Sequence, residues 1–100
     1  DPLIGETLYV RCVGCHAIQY NRTGPKHCGL DGRRAGSLED YNYSDAMKNS
    51  LITWNMVTLD RFLKAPLKNI PGTSMGYAGV KNDMERKHLV AYLLSHQQCE

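Results

Sequence analysis

The sequence predicts a small all-α domain: four or five short helices and long loops, wrapped around something other than the chain's own side chains. Three observations carry this. Apolar residues recur at helical spacing in several short segments, and no segment shows the apolar–polar alternation of a strand. Glycine, proline and arginine crowd the stretch from Asn21 to Ser37 (Thr23-Gly24-Pro25, Gly29, Gly32, Gly36), which argues against regular structure there. So few helical residues in a chain of 100 leave a modest core, and a foreign apolar mass would have to complete it. We expect one domain over residues 1–100.

The first helix is expected from about Leu3 to Gly14, where Ile4, Leu8 and Cys12 lie four apart and share a face. A short helix follows Tyr43, with Ser44 as N-cap. Another runs from about Leu59 to Ala65, capped by Thr58 and stopped by Pro66. In the last, Asn82 is the N-cap and Glu85 sits three residues on, as in a capping box. Leu89, Tyr92, Leu93 and His96 then fall at i, i+3, i+4 and i+7. The first and last helices bury their apolar stripes most easily against each other.

Residues 12–16 read Cys12-Val13-Gly14-Cys15-His16, the C-x-x-C-H signature of covalent haem attachment. Two thiols at this spacing can form thioethers to the haem vinyl groups, and His16 can ligate iron from one face. One covalently bound haem c would supply the missing apolar mass. Haem attachment of this kind implies export, and the start Asp1-Pro2-Leu3 fits a processed end, so we expect the periplasm ahead of the mitochondrial intermembrane space. Cys28 and Cys99 are left over. In an exported protein they point to a disulfide, which would add on the order of 4 kcal/mol in the chain-entropy treatment; two thiols that never meet are the alternative.

The second axial position needs another donor or stays open. Met47, Met56, Met75, Met84, His27, His88 and His96 are the candidates. Met75 stands in Asn69-Ile70-Pro71-Gly72-Thr73-Ser74-Met75-Gly76, a stiffened loop that can carry a side chain inward. Met84, in the first turn of the last helix, reads as core, and Met47 and Met56 as packing residues. His27, in the glycine-rich loop, is the rival to Met75. His/Met ligation raises the iron potential relative to bis-histidine and leaves no site for substrate, so the chemistry left is one-electron transfer.

With these residues placed, the chain resembles the class I cytochromes c of the mitochondrial and small bacterial kind. The haem motif, Thr23-Gly24-Pro25, Gly32-Arg33, Tyr43-Ser44-Asp45-Ala46, Trp54, Ile70-Pro71-Gly72-Thr73-Ser74-Met75 and Leu89-Val90-Ala91-Tyr92-Leu93 follow the family's order. The resemblance implies thioethers at Cys12 and Cys15, His16 and Met75 as iron ligands, and the Pro25 carbonyl as acceptor for the other ring nitrogen of His16. It implies that Tyr43 and Trp54 hydrogen-bond a buried haem propionate, with Arg33 and Thr73 close to it and Tyr77 beside the distal haem edge. It also brings the loop after Pro25 near the end of the last helix, which supports a Cys28–Cys99 bridge.

Several positions depart from the family pattern. Phe62 replaces a common tyrosine, Met47 a common asparagine, and His27 a leucine that packs on the haem; His27 is then either polar near the haem or turned outward. Gly5 is displaced by one residue from the usual helix-crossing glycine, which makes the contact of the first helix with Tyr92 less secure. Where mitochondrial relatives carry lysines around the haem edge, this chain keeps Arg11, Lys68, Lys81 and Arg22, with Leu67 and Ser74 at positions often basic.

The expected function is a mobile one-electron carrier, a monomer and not an enzyme. It would form transient complexes with a redox protein donor (a cytochrome complex, or a dehydrogenase such as serves methanol oxidation). Its acceptor would be a terminal oxidase or a photosynthetic reaction centre. A haem protein with peroxidase-like or ligand-binding activity is the alternative, though no distal acid–base pair is evident. A zinc module built on Cys12, Cys15, His27 and Cys28 is a third reading, and it leaves His16 unexplained. A net charge of +2 without a basic run argues against nucleic acid, and the apolar runs are too short to insert in a membrane.

Overall fold

The computed structural model describes residues 2–77 and 79–99, Pro2 by its backbone alone. Five helices and one 3₁₀ turn follow in order: α1 (Pro2–Tyr9), the turn (Val10–Cys12), α2 (Asp45–Lys48), α3 (Met56–Lys64), α4 (Pro66–Asn69) and α5 (Asp83–Leu94). Among the described residues the only β feature is an isolated antiparallel bridge between Arg34 and Thr53. No helix there is long and apolar enough to cross a membrane.

α1 crosses α5, as its apolar pattern predicts, but on a different face. Ile4 is 48% exposed, while Gly5 and Tyr9 are buried and Leu8 and Cys12 pack beside them. The reason is close backbone approach. A Cβ on Gly5 would stand 2.1 Å from the His88 carbonyl oxygen and 2.6 Å from the Tyr92 Cβ. Gly5 is therefore the crossing glycine despite its displacement, and the contact with Tyr92 is made, the Tyr9 and Tyr92 rings lying 5.2 Å apart.

α3 begins earlier than the apolar spacing implies. Asn55, not Thr58, is the N-cap: its side chain accepts from the amides of Val57 (2.9 Å) and Thr58 (3.0 Å), and the Asn55 amide donates back to Thr58 Oγ1 (2.8 Å). Thr58 is thus the reciprocal partner of a capping box. Leu59, Phe62 and Leu63 are its buried stripe. Pro66 ends α3 and opens α4 from its first position, where a missing N–H costs nothing. Met56, at the first position of α3, is 67% exposed, and Met84 is 61% exposed. Met84 stands two and a half turns before Leu93 and so on the opposite face of α5. Neither packs in the core; Met47 does lie against it.

α2 and α5 are capped as expected, Ser44 Oγ accepting from the Met47 amide (3.2 Å) and the Asn82 side chain from the Glu85 amide (2.9 Å). The pattern of α5 did not single out Arg86, which is buried. Its guanidinium donates to Asp60 and to Asp83 at 2.7 Å each and to the Val80 carbonyl at 3.0 Å, tying α5 to α3. Cys28 and Cys99 form a disulfide with Cα atoms 5.2 Å apart. Around it the C-terminal tail lies along the 28–31 loop, with the Gly29 amide donating to the His96 carbonyl (2.7 Å) and the Asp31 amide to Gln97 Oε1 (3.1 Å). A bridged Cys28 cannot ligate, which removes the zinc reading.

Candidate cofactor site

The helices and the two long loops enclose a largely apolar cavity of about 220 Å³, walled by Leu59, Phe62, Leu63 and Leu93 among others. All nine residues singled out from the sequence (Cys12, Cys15, His16, Pro25, Arg33, Tyr43, Trp54, Thr73 and Met75) line it, as does Tyr77.

Cys12 ends the 3₁₀ turn and Cys15 follows in the loop; both carry free thiols, Cys12 half-buried and Cys15 exposed. Turn bonds from the Cys15 and His16 amides to the Cys12 carbonyl (3.1 and 2.9 Å) fold the motif back on itself. Burial pushes the Cys12 thiol up to about 11, so this lip of the cavity favours an uncharged sulfur, which a thioether is.

His16 is buried. Its Nδ1 donates to the Pro25 carbonyl at 2.8 Å, which leaves Nε2 as the lone-pair nitrogen. Burial holds its pKa below the ordinary imidazole value; Pro25 opposes that shift, and Arg22 and Arg33 add to it. A neutral ring with a fixed tautomer is what a metal ligand needs. Gly24 makes room for it: a Cβ there would stand 2.2 Å from His16 Cε1 and 2.5 Å from Nε2. The segment is pinned further by the Gly24 amide on the Cys15 carbonyl (2.7 Å), by Arg22 donating to the Val13 carbonyl and by the Tyr41 hydroxyl donating to the Thr23 carbonyl.

The Arg34–Thr53 bridge sets Arg33 and Trp54 side by side, with the Trp54 amide donating to the Arg33 carbonyl (2.8 Å). The Arg33 guanidinium donates to the Lys26 carbonyl at 2.7 Å, and among the described residues no carboxylate pairs with it. Burial lowers its pKa, with Tyr43 opposing, and burial raises that of Tyr43, which keeps its phenol a donor. A cation and two aromatic donors in an apolar wall suit an acidic group on an otherwise apolar ligand. Thr73 is buried, and its Oγ1 accepts from the Met75 amide at 3.3 Å. Two thiols, a neutral imidazole, a thioether sulfur and this polar corner on one cavity fit a covalently held haem.

The family model described as Cytochrome c matches residues 3–97. The chain belongs to the cytochrome c family. Cytochrome c-550 of Bradyrhizobium diazoefficiens is 45% identical over 92 residues, covering 89% of this chain and 68% of that protein. A cytochrome c2 of Rhodoplanes tepidamans is 45% identical over 96 residues, covering 93% of this chain and 90% of its own. Among solved structures, cytochrome cH from Methylobacterium extorquens superposes with a TM-score of 0.92 at 34% identity, over 95% of this chain and 98% of that one. The protein is a class I cytochrome c, an electron-transfer protein rather than an enzyme, and its cofactor is covalently bound haem c.

Two contributors to the site, Gly24 and Tyr9, are not singled out by the sequence pattern, and a third, His27, stands out only as a departure of open orientation. Gly24 looks like any loop glycine until its 2.2 Å approach to His16 is seen. Tyr9 looks like helix packing, yet its hydroxyl lies 2.9 Å from His27 Nδ1. His27, the departure at a leucine position, turns inward and stacks on His16.

Proposed function

We propose that this cytochrome c holds its haem through Cys12 and Cys15, ligates the iron with His16 and Met75, and works as a one-domain, monomeric, mobile carrier in a bacterial periplasm. The observation that carries the reading is the His16 ring, tied at Nδ1 to Pro25 beside two free cysteines, on a cavity whose wall includes Met75. His27 is the weaker candidate for the other ligand, because its ring is stacked directly on that of His16, which leaves no room for the haem between the two.

The bound haem supplies a one-electron ferric/ferrous couple. Pro25 raises the basicity of His16 and fixes its tautomer. Met75 contributes a soft donor that favours the ferrous state. Arg33 would offset the charge of a haem propionate held against this wall, and Tyr43 and Trp54 would donate hydrogen bonds to it. Leu59, Phe62 and Leu63 exclude water, so little solvent has to reorganise when an electron moves.

The donor and acceptor are redox proteins met in short-lived complexes, the acceptor being a terminal oxidase or a photosynthetic reaction centre. Three of the four cations expected at the haem edge are engaged within the chain: Arg11 lies 3.5 Å from Glu85, Arg22 donates to the Val13 carbonyl, and the Lys81 ammonium donates to the Lys64 carbonyl at 2.8 Å. Val10, just before the haem motif, and Val13, within it, are exposed. An apolar surface with few uncommitted charges implies weak steering and mild salt dependence of the association rate.

Intact mass under denaturing, non-reducing conditions tests the attachment; retention of one haem supports it and a bare polypeptide mass sinks it. Met75→Ala tests the ligand set. Its potential should fall by a sizeable part of the about 0.8 V range that axial ligands command, and the ferric iron should take up cyanide readily. Unchanged potential and cyanide binding would remove Met75 from the iron.

A further inference from the structure

His27 is a polar residue on the cavity wall to which haem binding assigns no part. Its ring lies against that of His16, centroids 4.2 Å and planes 22° apart. Its Nδ1 is 2.9 Å from Tyr9 Oη, and the Tyr9 ring stands edge-on to it at 5.6 Å. Tyr9 is buried where α1 crosses α5 and packs on Tyr92. The backbone around His27 is equally fixed. The His27 amide donates to the Ala17 carbonyl (3.2 Å), the Cys28 amide to the Ile18 carbonyl (2.8 Å), and Cys28 is disulfide-bonded. The helix crossing therefore holds Tyr9, Tyr9 holds His27, and His27 presents a flat face to the ring of the iron ligand.

We propose that His27, anchored by Tyr9, is a positioning residue that sets the rotation of the His16 imidazole about its bond to the iron; this rests on the reading of His16 as a ligand. The bond to Pro25 does not fix that rotation alone. A carbonyl oxygen accepts over a broad range of directions, so one hydrogen bond leaves a ring room to turn. A stacked neighbour restrains the plane itself, which a leucine cannot do. The plane matters because the imidazole π system overlaps the iron d orbitals in one direction only. Its rotation decides which of them carries the unpaired electron of the ferric state.

The test uses the ferric holoprotein, reading electron paramagnetic g values and the NMR shifts of the four haem methyls, both of which follow the ligand plane. His27→Leu removes the flat face and the hydrogen bond; Tyr9→Phe removes only the anchor. His27→Leu should change the spread or order of the methyl shifts with far-UV circular dichroism unaltered, and Tyr9→Phe should move them the same way by less. His27→Phe, which restores a flat ring, should bring the pattern back toward that of the unaltered protein. A low-spin, histidine-ligated spectrum whose methyl pattern is the same in His27→Leu overturns the positioning role and leaves the ligand reading standing. If His27→Leu fails to take up haem, Tyr9→Phe decides alone, and an unmoved pattern there overturns the proposal. An unaltered protein without a low-spin histidine signal sinks the ligand reading, and the proposal with it.

Discussion

The stretch from Cys12 to Leu30 carries His16 on a dense set of main-chain bonds, whereas the stretch from Ile70 to Tyr77 carries Met75 on two turns. In the first, the motif folds onto the Cys12 carbonyl, Gly24 donates to Cys15, His27 to Ala17 and Cys28 to Ile18, and the disulfide and C-terminal tail close the loop from outside. In the second, among the described residues, the Thr73 amide donates to the Ile70 carbonyl (3.0 Å) and the Met75 amide to Thr73 Oγ1 (3.3 Å). One wall is tied along its length; the other, among the described residues, is tied mainly at its ends, through the Ile70 amide on the Pro66 carbonyl and the Val80 amide on the Leu63 carbonyl. Damage to the first should appear in assembly and global stability. Damage to the second should appear in potential and ligand access.

The largest expected effect comes from Gly24→Ala. The new methyl would stand 2.2 Å from His16 Cε1, so the ring or the 21–25 loop has to move. Overpacking of this kind costs about 1–3 kcal/mol in an ordinary core, and here it also displaces the ligand nitrogen. We expect little covalently loaded protein, measured as haem retained on a denaturing gel. A fully loaded variant with an unchanged thermal midpoint would show the first wall to be as pliable as the second.

Cys99→Ser comes next, testing whether the outer closure of that wall matters. The bridge joins residues 71 apart, and the chain-entropy treatment assigns a loop of that size about 4 kcal/mol. For a domain of this size each kcal/mol moves the midpoint by roughly 4–8 °C, so a fall above about 10 °C is expected with the visible spectrum intact. Unchanged stability would mean that the tail hydrogen bonds alone hold the loop.

These contrasts bear on what could be read before the structure. The haem motif, the cap residues Ser44 and Asn82 and the stripe of α5 are local patterns, and local patterns are legible. The start of α3 was misplaced because Thr58 and Asn55 are both good cap residues, and only the reciprocal bonds decide between them. The buried face of α1 was missed because close approach at Gly5 overrode the Ile4–Leu8–Cys12 spacing. Arg86 looks like surface charge until Asp60 and Asp83 arrive from elsewhere in the chain and at its own helix start. His27 was legible as an anomaly, but which way it pointed depended on Tyr9, eighteen residues away. Apart from the α3 cap, which is a local choice between two good cap residues, what the pattern does not show is a long-range contact that no periodicity encodes.

The smallest effect sharpens the comparison most. Thr73→Val keeps the branched shape of a buried side chain and removes the acceptor for the Met75 amide. That bond is long, and Met75 is only partly buried, so the loss should sit near the middle of the 0.5–1.5 kcal/mol range, about 1 kcal/mol. If the second wall opens on its own, this loss falls on the local opening and not on global unfolding. Cyanide uptake by the ferric protein would then rise roughly fivefold, the equivalent of about 1 kcal/mol, while the thermal midpoint stays within a few degrees. Were the two walls one cooperative unit, the same kcal/mol would appear as a lower midpoint with cyanide uptake unmoved. That result would remove the distinction between a densely tied wall and a lightly tied one.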